Sequence, residues 1–597
     1  MALPDPKRVA ESLSRITRTG RKLVSDYMSR SPAASGTGAS TEGVELITGS
    51  FRELAEKMVA QPGKIVQAQL AFWEDYWTLC ARTSQRVLGG AGSALPVIEA
   101  APTDRRFMDP RWAESAIFDF IKQSYLLTAR SIHRTVHGVE GLDPKTLERV
   151  DFYTRQFVDA MSPSNNIVLN PTVLNATLES GGENLMRGFA NLLEDLERSK
   201  GSLEVNRQRL DAFVVGKDLA VTPGKVVFQN ELMQLIQYAP TTETVHARPL
   251  LIVPPWINKF YVLDLSKHNS FIAWAVGQGF TVFIISWVNP DVRLADKGFD
   301  DYMSLGPLAA LDAIEKATGE RQVAAIGYCL GGTLLSATLA YLAAAAEEKR
   351  VEPRVTAATL FTTMLDFAEP GEVGVFIDED QLQALEKKMG EQGYLDGSQM
   401  ASAFTMLRAN DLIWSFVVHN YLLGKDPMPF DVLYWGSDAT RMPAKMHSYY
   451  LRNMYQHNRL RQPGGISLLG RPIDLGKVTV PVYFLSARED YVAPWKSTYA
   501  GAHLFGGPVR FVLGGSGHIA AVINPAGSKY YGYATNTSLP VEPTAWDQGA
   551  ERHGGSWWPD WLAWIKPGSG EQVPARIPGA AALPPLGDAP GSYVLVR

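Results

Sequence analysis

Residues 323–333 read VAAIGYCLGGT, and they are the most informative stretch of the chain. A short apolar run enters the pattern Gly-x-Cys-x-Gly, and a run of small and apolar residues follows to residue 346. This order predicts a strand, a sharp turn and a helix, with Cys329 exposed on the turn. The helix N-terminus would then face the sulfur and favour its thiolate form, which makes Cys329 the candidate nucleophile.

Strands and helices alternate on both sides of this turn, which predicts a mostly parallel sheet covered on both faces. The predicted strands are residues 225–230, 231–238, 250–253, 281–287, 323–327, 355–362, 480–486 and 509–513. A strand–turn–helix of this kind, with cysteine where serine is usual, is typical of α/β-hydrolases. We therefore predict the α/β class, with an α/β-hydrolase core, an inserted helical and loop cap, and a mostly helical N-terminal domain.

The length of 597 residues is too great for one ordinary domain. We predict five segments: a flexible N-terminal segment at 1–43, a helical domain at 44–205, the first part of the core at 206–365, the cap at 366–470, and the second part of the core with an extended C-terminal tail at 471–597. A helix predicted at 7–29 either binds a partner or an apolar surface, or is a frayed tail.

Composition narrows the class of protein. The net charge of −5 gives no reason to expect nucleic-acid binding. The two cysteines, Cys80 and Cys329, indicate a reducing cytoplasm, and Cys80 is interpreted as a buried small apolar residue. The N-terminus lacks the apolar core of a signal peptide, and the apolar run at 330–346 is too short for a transmembrane segment.

An acid and a histidine follow two late strands, in the chain order that an α/β-hydrolase site requires. Asp490 lies in the loop after the strand at 480–486, and His518 lies in a glycine-rich loop after the strand at 509–513. His518 would move the proton, and Asp490 would orient its ring. Glu489 and His503 are the competing residues, and both are disfavoured by their positions.

The predicted site also needs two backbone N–H groups to bind an oxyanion. One donor is Leu330, directly after the candidate nucleophile. The other comes from the loop after the strand at 250–253, where two prolines leave Trp256 or Ile257 as the donor. We interpret Asp438, further along the chain, as a turn or N-cap acid.

A cysteine nucleophile exchanges with a thioester at almost no cost in free energy, and the acyl enzyme stays reactive towards an alcohol. This chemistry points to acyl transfer from a coenzyme A (CoA) thioester, with CoA as a product rather than a cofactor. We expect no cofactor and no metal. Five basic residues of the cap region could meet the CoA phosphates or form a solvated face: Arg408, Lys425, Arg441, Lys445 and Arg452.

Several longer motifs resemble those of the class I polyhydroxyalkanoate (poly-3-hydroxybutyrate) synthases. They are GYCLGG at 327–332, PPWINKFYVLDL at 254–265, RRF at 105–107 with DPRW at 109–112, ESGGE at 179–183, LYW at 433–435 and GHIA at 517–520. The resemblance covers roughly residues 100–530. It departs at Tyr491, where histidine is common, and at Gly436, where asparagine is common.

The resemblance implies polymerisation of short-chain (R)-3-hydroxyacyl-CoA, with 3-hydroxybutyryl-CoA typical, into polyester with release of CoA. It implies a site of Cys329, His518 and Asp490, a homodimer, and residence on cytoplasmic polymer granules beside granule-surface proteins. Trp435 in the LYW motif would be a cap or dimer-contact residue, or part of the core. Two alternatives remain: a Cys-dependent esterase or thioesterase of the dienelactone hydrolase type, and a non-catalytic granule scaffold.

Overall fold

The computed structural model describes residues 41–88, 95–102, 104–199, 205–208, 211–579 and 582–597. It divides into two compact units. The helical unit comprises Met1–Arg209 with Thr405–Pro429, and the sheet unit comprises Leu210–Phe404 with Phe430–Arg597. The predicted cap at 366–470 is therefore divided between the two units. The helix predicted at 7–29 lies outside the described residues.

Five of the seven helices of the helical unit begin at Asp, Asn, Ser or Pro residues. Its helices are α1 (Thr41–Val59), α2 (Pro62–Val87), α3 (Arg111–Glu114), α4 (Ala116–Gly138), α5 (Pro144–Ala160), α6 (Pro171–Glu179) and α7 (Glu183–Arg198). Two π-helical turns, Asn410–Trp414 and Val417–Leu422, complete it. Arg106, from the RRF motif, ties the unit together through Asp104, Asp159 and Tyr125.

An eleven-stranded mixed sheet forms the centre of the sheet unit. Its strands are β1 (Gly224–Gln229), β2 (Met233–Tyr238), β3 (Leu250–Val253), β4 (Val282–Trp287), β5 (Val323–Tyr328), β6 (Val355–Phe361), β7 (Val482–Ala487), β8 (Val509–Gly514), β9 (Tyr533–Thr535), β10 (Glu551–His553) and β11 (Gly587–Asp588). Their order is β10-β9-β8-β7-β6-β5-β3-β4-β2-β1-β11.

The six strands from β3 to β8 pair in parallel, and antiparallel strands extend the sheet at both edges. The helices after β2 are α8 (Phe271–Gly277), α9 (Phe299–Met303), α10 (Ala309–Thr318), α11 (Leu330–Lys349), α12 (Glu379–Gln392), α13 (Gly397–Leu407), α14 (Asp431–Ser437), α15 (Ala444–Tyr450), α16 (Trp495–Ala502), α17 (Pro543–Gln548) and α18 (Trp558–Ile565). The predicted α/β-hydrolase fold is confirmed.

The central strands are buried on both faces, which is why they read as continuous apolar runs. Along β3, Leu251 and Val253 pack into one hydrophobic cluster, and Leu250 and Ile252 pack into a second cluster on the other face. Helix α11 is the one described helix long and apolar enough to cross a membrane, and more than half of its apolar stretch is buried. Its apolar character therefore belongs to the core of the sheet unit.

The C-terminal tail, largely exposed, pairs with the rest of the sheet unit through two short strands. Residues Gln572–Pro574 pair with Thr244–His246, and β11 pairs with β1 at the edge of the main sheet. Val594 is fully buried. The sequence does not predict β9, β10 or α18, which follow the last buried apolar strand. Both β9 and β10 are only three residues long, too short to leave an alternating pattern.

Candidate active site

Cys329 lies on a sharp turn between β5 and α11. Its φ of +51° and ψ of −120° are unfavourable for any residue with a side chain. The turn is held by its backbone, because the Cys329 N–H donates to the Phe361 carbonyl at 2.9 Å. Strain of this kind at a strand-to-helix turn presents the side chain above the carboxyl ends of the strands.

Close backbone approach explains the glycines beside this cysteine. A Cβ atom at Gly327 would lie 2.4 Å from the Gly332 Cα atom, and one at Gly331 would lie 2.2 Å from the Val253 carbonyl oxygen. Real Cβ contacts are longer, so either side chain would push α11 away from the sheet. The glycines therefore allow the helix N-terminus to pack directly against β3 and β5.

We predict that Gly331→Ala destabilises the sheet unit and displaces the turn. The added methyl would meet the backbone oxygens of Val253 and Pro254, at 2.2 and 2.5 Å, and backbone cannot rotate away as a side chain can. Overpacking of this kind costs roughly 1–3 kcal/mol. The midpoint of chemical unfolding should fall. Gly390→Ala, in α12 with nothing within 4 Å of the added Cβ, is the control and should leave stability equal or higher. Equal midpoints for the two variants would contradict the prediction.

His518 and Asp490 form a short hydrogen bond. The His518 Nδ1 atom lies 2.7 Å from the Asp490 Oδ2 atom. The Asp490 side chain is fully buried, and its other oxygen accepts from the backbone N–H groups of Val492 and Ala493, each at 2.8 Å. Three donors thus hold the carboxylate in one orientation, and the carboxylate in turn fixes the plane of the imidazole ring.

The surroundings of His518 favour its protonated form. Burial of the ring acts to lower its pKa, but the charges of Asp490 and Cys329 and hydrogen bonds to both outweigh burial and raise the pKa to about 10. The ring also stacks on Tyr328, with centroids 5.8 Å apart. The structure thus brings Cys329, His518 and Asp490 together, with the imidazole ring between the thiol and the carboxylate.

The three backbone groups named as oxyanion donors are free for a ligand. In the described part of the chain, the N–H groups of Leu330, Trp256 and Ile257 donate to no other atom. The loop that carries the last two is fixed, because Thr440 binds the Trp256 carbonyl through its hydroxyl and the Ile257 carbonyl through its N–H. Free donors on a rigid loop suit the binding of a developing negative charge.

Two buried tyrosines lie near the Cys329 thiol. Burial raises the pKa of both phenols, with smaller upward contributions from Tyr455 and Cys329 at Tyr450 and from Cys329 at Tyr455. Phe367 packs on Tyr455 with centroids 4.9 Å apart. These residues come from the predicted cap segment, so the part of that segment within the sheet unit contributes aromatic side chains near Cys329.

The competing residues lie elsewhere. Glu489 is exposed beside Asp490, and His503 is exposed at the end of α16. Cys80 is partly exposed in α2, next to the buried Leu79, which differs from the interpretation of Cys80 as buried. Trp435 is buried in the sheet unit and donates to the Lys259 carbonyl at 2.6 Å, which favours a packing role.

A buried ion pair was missed from the sequence. Asp438, interpreted as a turn or N-cap acid, pairs with Lys259 at 2.7 Å and accepts from the Tyr261 hydroxyl at 2.8 Å. Both charged side chains are almost fully buried. Of the basic residues of the cap region, Arg452 is occupied by Glu379 and Glu386. That observation favours a structural role for Arg452 over contact with a phosphate.

The fold and this turn define an α/β-hydrolase-type protein with cysteine in place of the usual serine. An α/β-hydrolase fold model matches residues 249–525, and a model for the poly-beta-hydroxybutyrate polymerase (PhaC) N-terminus matches residues 103–275. Among solved structures, a putative hydrolase from Agrobacterium vitis S4 is 14% identical, with 55% of this chain and 94% of that chain covered and a TM-score of 0.30.

Curated relatives match the chain over its whole length. The poly(3-hydroxyalkanoate) polymerase of Methylorubrum extorquens is 49% identical, over 100% of this chain and 98% of its own length. The poly(3-hydroxyalkanoate) polymerase subunit PhaC of Rhizobium meliloti (strain 1021) is 45% identical, over 99% of this chain and 96% of its own length. The chain belongs to the poly(3-hydroxyalkanoate) polymerase family and is an enzyme of the acyltransferase type.

Proposed function

We propose that this enzyme polymerises short-chain (R)-3-hydroxyacyl-CoA, with 3-hydroxybutyryl-CoA the typical substrate, through an acyl-Cys329 intermediate. The observation that carries the proposal is the arrangement of Cys329, His518 and Asp490 at the turn after β5. Family membership supports the polyester product.

The first half-reaction transfers the acyl group to the enzyme. The Cys329 thiolate attacks the thioester carbonyl, and the N–H groups of Leu330 and of Trp256 or Ile257 bind the oxyanion. The carbon–sulfur bond to CoA then breaks, and His518 donates its proton to the departing CoA thiolate. One thioester replaces another, and His518 becomes neutral and Cys329 acylated.

The second half-reaction extends the polyester. Neutral His518 accepts the proton of the terminal hydroxyl of the growing chain, and that oxygen attacks the acyl-Cys329 carbonyl. The bond to the Cys329 sulfur breaks as the ester forms, which restores the thiolate and the imidazolium. Asp490 stabilises the imidazolium in both halves of the cycle. The apolar side chains of Tyr450, Tyr455 and Phe367 favour a hydroxyl on a polyester over water.

The proposal includes a homodimer on cytoplasmic polymer granules. An exposed apolar stripe on the helical unit supports contact with a polyester surface. Its members recur at helical spacing along α2, and the exposed fractions of Val66, Leu70, Trp73 and Trp77 are 54%, 65%, 49% and 67%. Side chains this large are rarely left exposed in one row unless a surface covers them.

The purified enzyme with (R)-3-hydroxybutyryl-CoA is expected to release free CoA and form insoluble polymer together. CoA would be measured with a thiol reagent, and polymer by turbidity and chain-length determination. CoA release with only soluble hydroxy acid would favour the esterase or thioesterase alternative, and no CoA release would favour the scaffold. A higher kcat/KM for (R)-3-hydroxyoctanoyl-CoA would overturn the short-chain preference.

A further inference from the structure

Two histidines and an aspartate of the helical unit converge at one point. His133 and His137 are four residues apart near the end of α4, so their side chains project from the same face of the helix. Asp151 lies opposite them on α5. Its Oδ1 atom lies 3.2 Å from His133 Nδ1 and 2.9 Å from His137 Nε2, and all three ligand atoms lie within 4.8 Å of one another.

We propose that His133, His137 and Asp151 bind a divalent transition-metal ion, with Zn²⁺ the best match. Zn²⁺ takes imidazole nitrogen and carboxylate oxygen at about 2.0–2.2 Å, so two ligand atoms of a tetrahedral ion are separated by roughly 3.3–3.6 Å. The separations of 3.2 and 2.9 Å lie slightly below this range, so a small outward shift of the side chains would admit the ion. Imidazole ligands favour Zn²⁺ over Mg²⁺ and Ca²⁺, which prefer oxygen alone. The ion would join α4 to α5. Its presence would contradict the expectation from the sequence that the protein holds no metal.

The neighbourhood of Asp151 suits ligation. Its second oxygen, Oδ2, accepts from the Arg155 Nε atom at 3.1 Å, so Oδ1 remains directed at the histidines. A ligating carboxylate is usually held by such an outer hydrogen bond. The His137 side chain is 56% exposed, which gives an ion a path from solvent and leaves room for water as a further ligand. Within the described residues, no other group of three such side chains is as close together.

The proposal is tested by measuring zinc binding to the untagged, metal-free full chain. The parent for this test carries Cys329→Ala, so that the active-site thiol does not bind the ion. We expect one equivalent of Zn²⁺ by competition with a chromophoric indicator. His137→Ala and Asp151→Asn should each weaken binding at least ~10-fold. His268→Ala removes an exposed histidine of the sheet unit and should bind as the parent does.

Two further readouts separate ligation from a hydrogen-bonded cluster without metal. Co²⁺ should give visible absorption bands in the parent and the His268→Ala control, and His137→Ala should lose them. Zn²⁺ should also slow proteolysis between α4 and α5 in the parent and not in His137→Ala. Absence of a bound equivalent in the parent, or equal affinity of parent and His137→Ala, would overturn the proposal. Neither result bears on polymer synthesis.

Discussion

Cys329→Ala is expected to abolish CoA release and polymer formation, with a loss in rate on the order of 10⁶-fold, the size found when a covalent nucleophile is removed. Alanine cannot form the thioester, and the His518 imidazolium would lose the sulfur that it contacts. Incubation with radiolabelled (R)-3-hydroxybutyryl-CoA and denaturing electrophoresis should show label on the parent and none on the variant.

Cys80→Ala is the matched control, because Cys80 is the one other cysteine of the chain. It lies on α2 in the helical unit and should be replaced without loss of labelling or polymer. A labelled Cys329→Ala variant would assign the acyl group to a different residue. Circular dichroism of both variants should match the parent, since Cys329 is partly exposed and its replacement creates no buried cavity.

Asp490→Asn is expected to slow chain growth by roughly 10⁴-fold, the loss found when a triad carboxylate becomes an amide. The carboxylate is the largest of the influences that raise the pKa of His518, so its loss lets that pKa fall back from about 10. The rate of chain growth should fall more than the rate of first acylation. In chain growth His518 must activate a hydroxyl, whereas in the first acylation it only protonates the departing CoA. Rapid mixing separates the first release of CoA from later turnovers.

Glu489→Gln is the matched control for charge and position. It removes a carboxylate one residue away, but from an exposed side chain, whereas His518 pairs with Asp490. Its rates should stay within about twofold of the parent, as is usual for exposed positions. Equal losses in first acylation and chain growth for Asp490→Asn would contradict the division of roles between the two half-reactions.

The fold and the candidate site differ in how far local sequence predicts them. The turn at Cys329 could be predicted because strand, glycines and helix are contiguous, and each leaves a pattern of its own. Asp490 and His518 could be placed near it because parallel strands end at the same edge of a sheet. Their contact at 2.7 Å agrees with that expectation from topology.

Contacts between distant segments left no such pattern. Asp438 and Lys259 are about 180 residues apart, and neither neighbourhood indicates the other's charge. The division of the cap segment also depends on distant contacts, since Tyr421 donates to Asp195 at 2.7 Å within the helical unit. The spacing of His133 and His137 on α4 is visible in the sequence. Their partner Asp151, however, lies beyond a loop on the next helix, and no local pattern indicates it.

The pairing of β11 with β1 has a consequence for biosynthesis. Lys225 and Asp588 pair across the sheet edge and are 363 residues apart in the chain. A ribosome adds about 5–20 residues per second, so β1 waits tens of seconds for this neighbour. During that interval its outer edge is an unpaired template for other chains. Nascent chains made close together on one messenger are therefore exposed to edge-to-edge association until the last segment emerges.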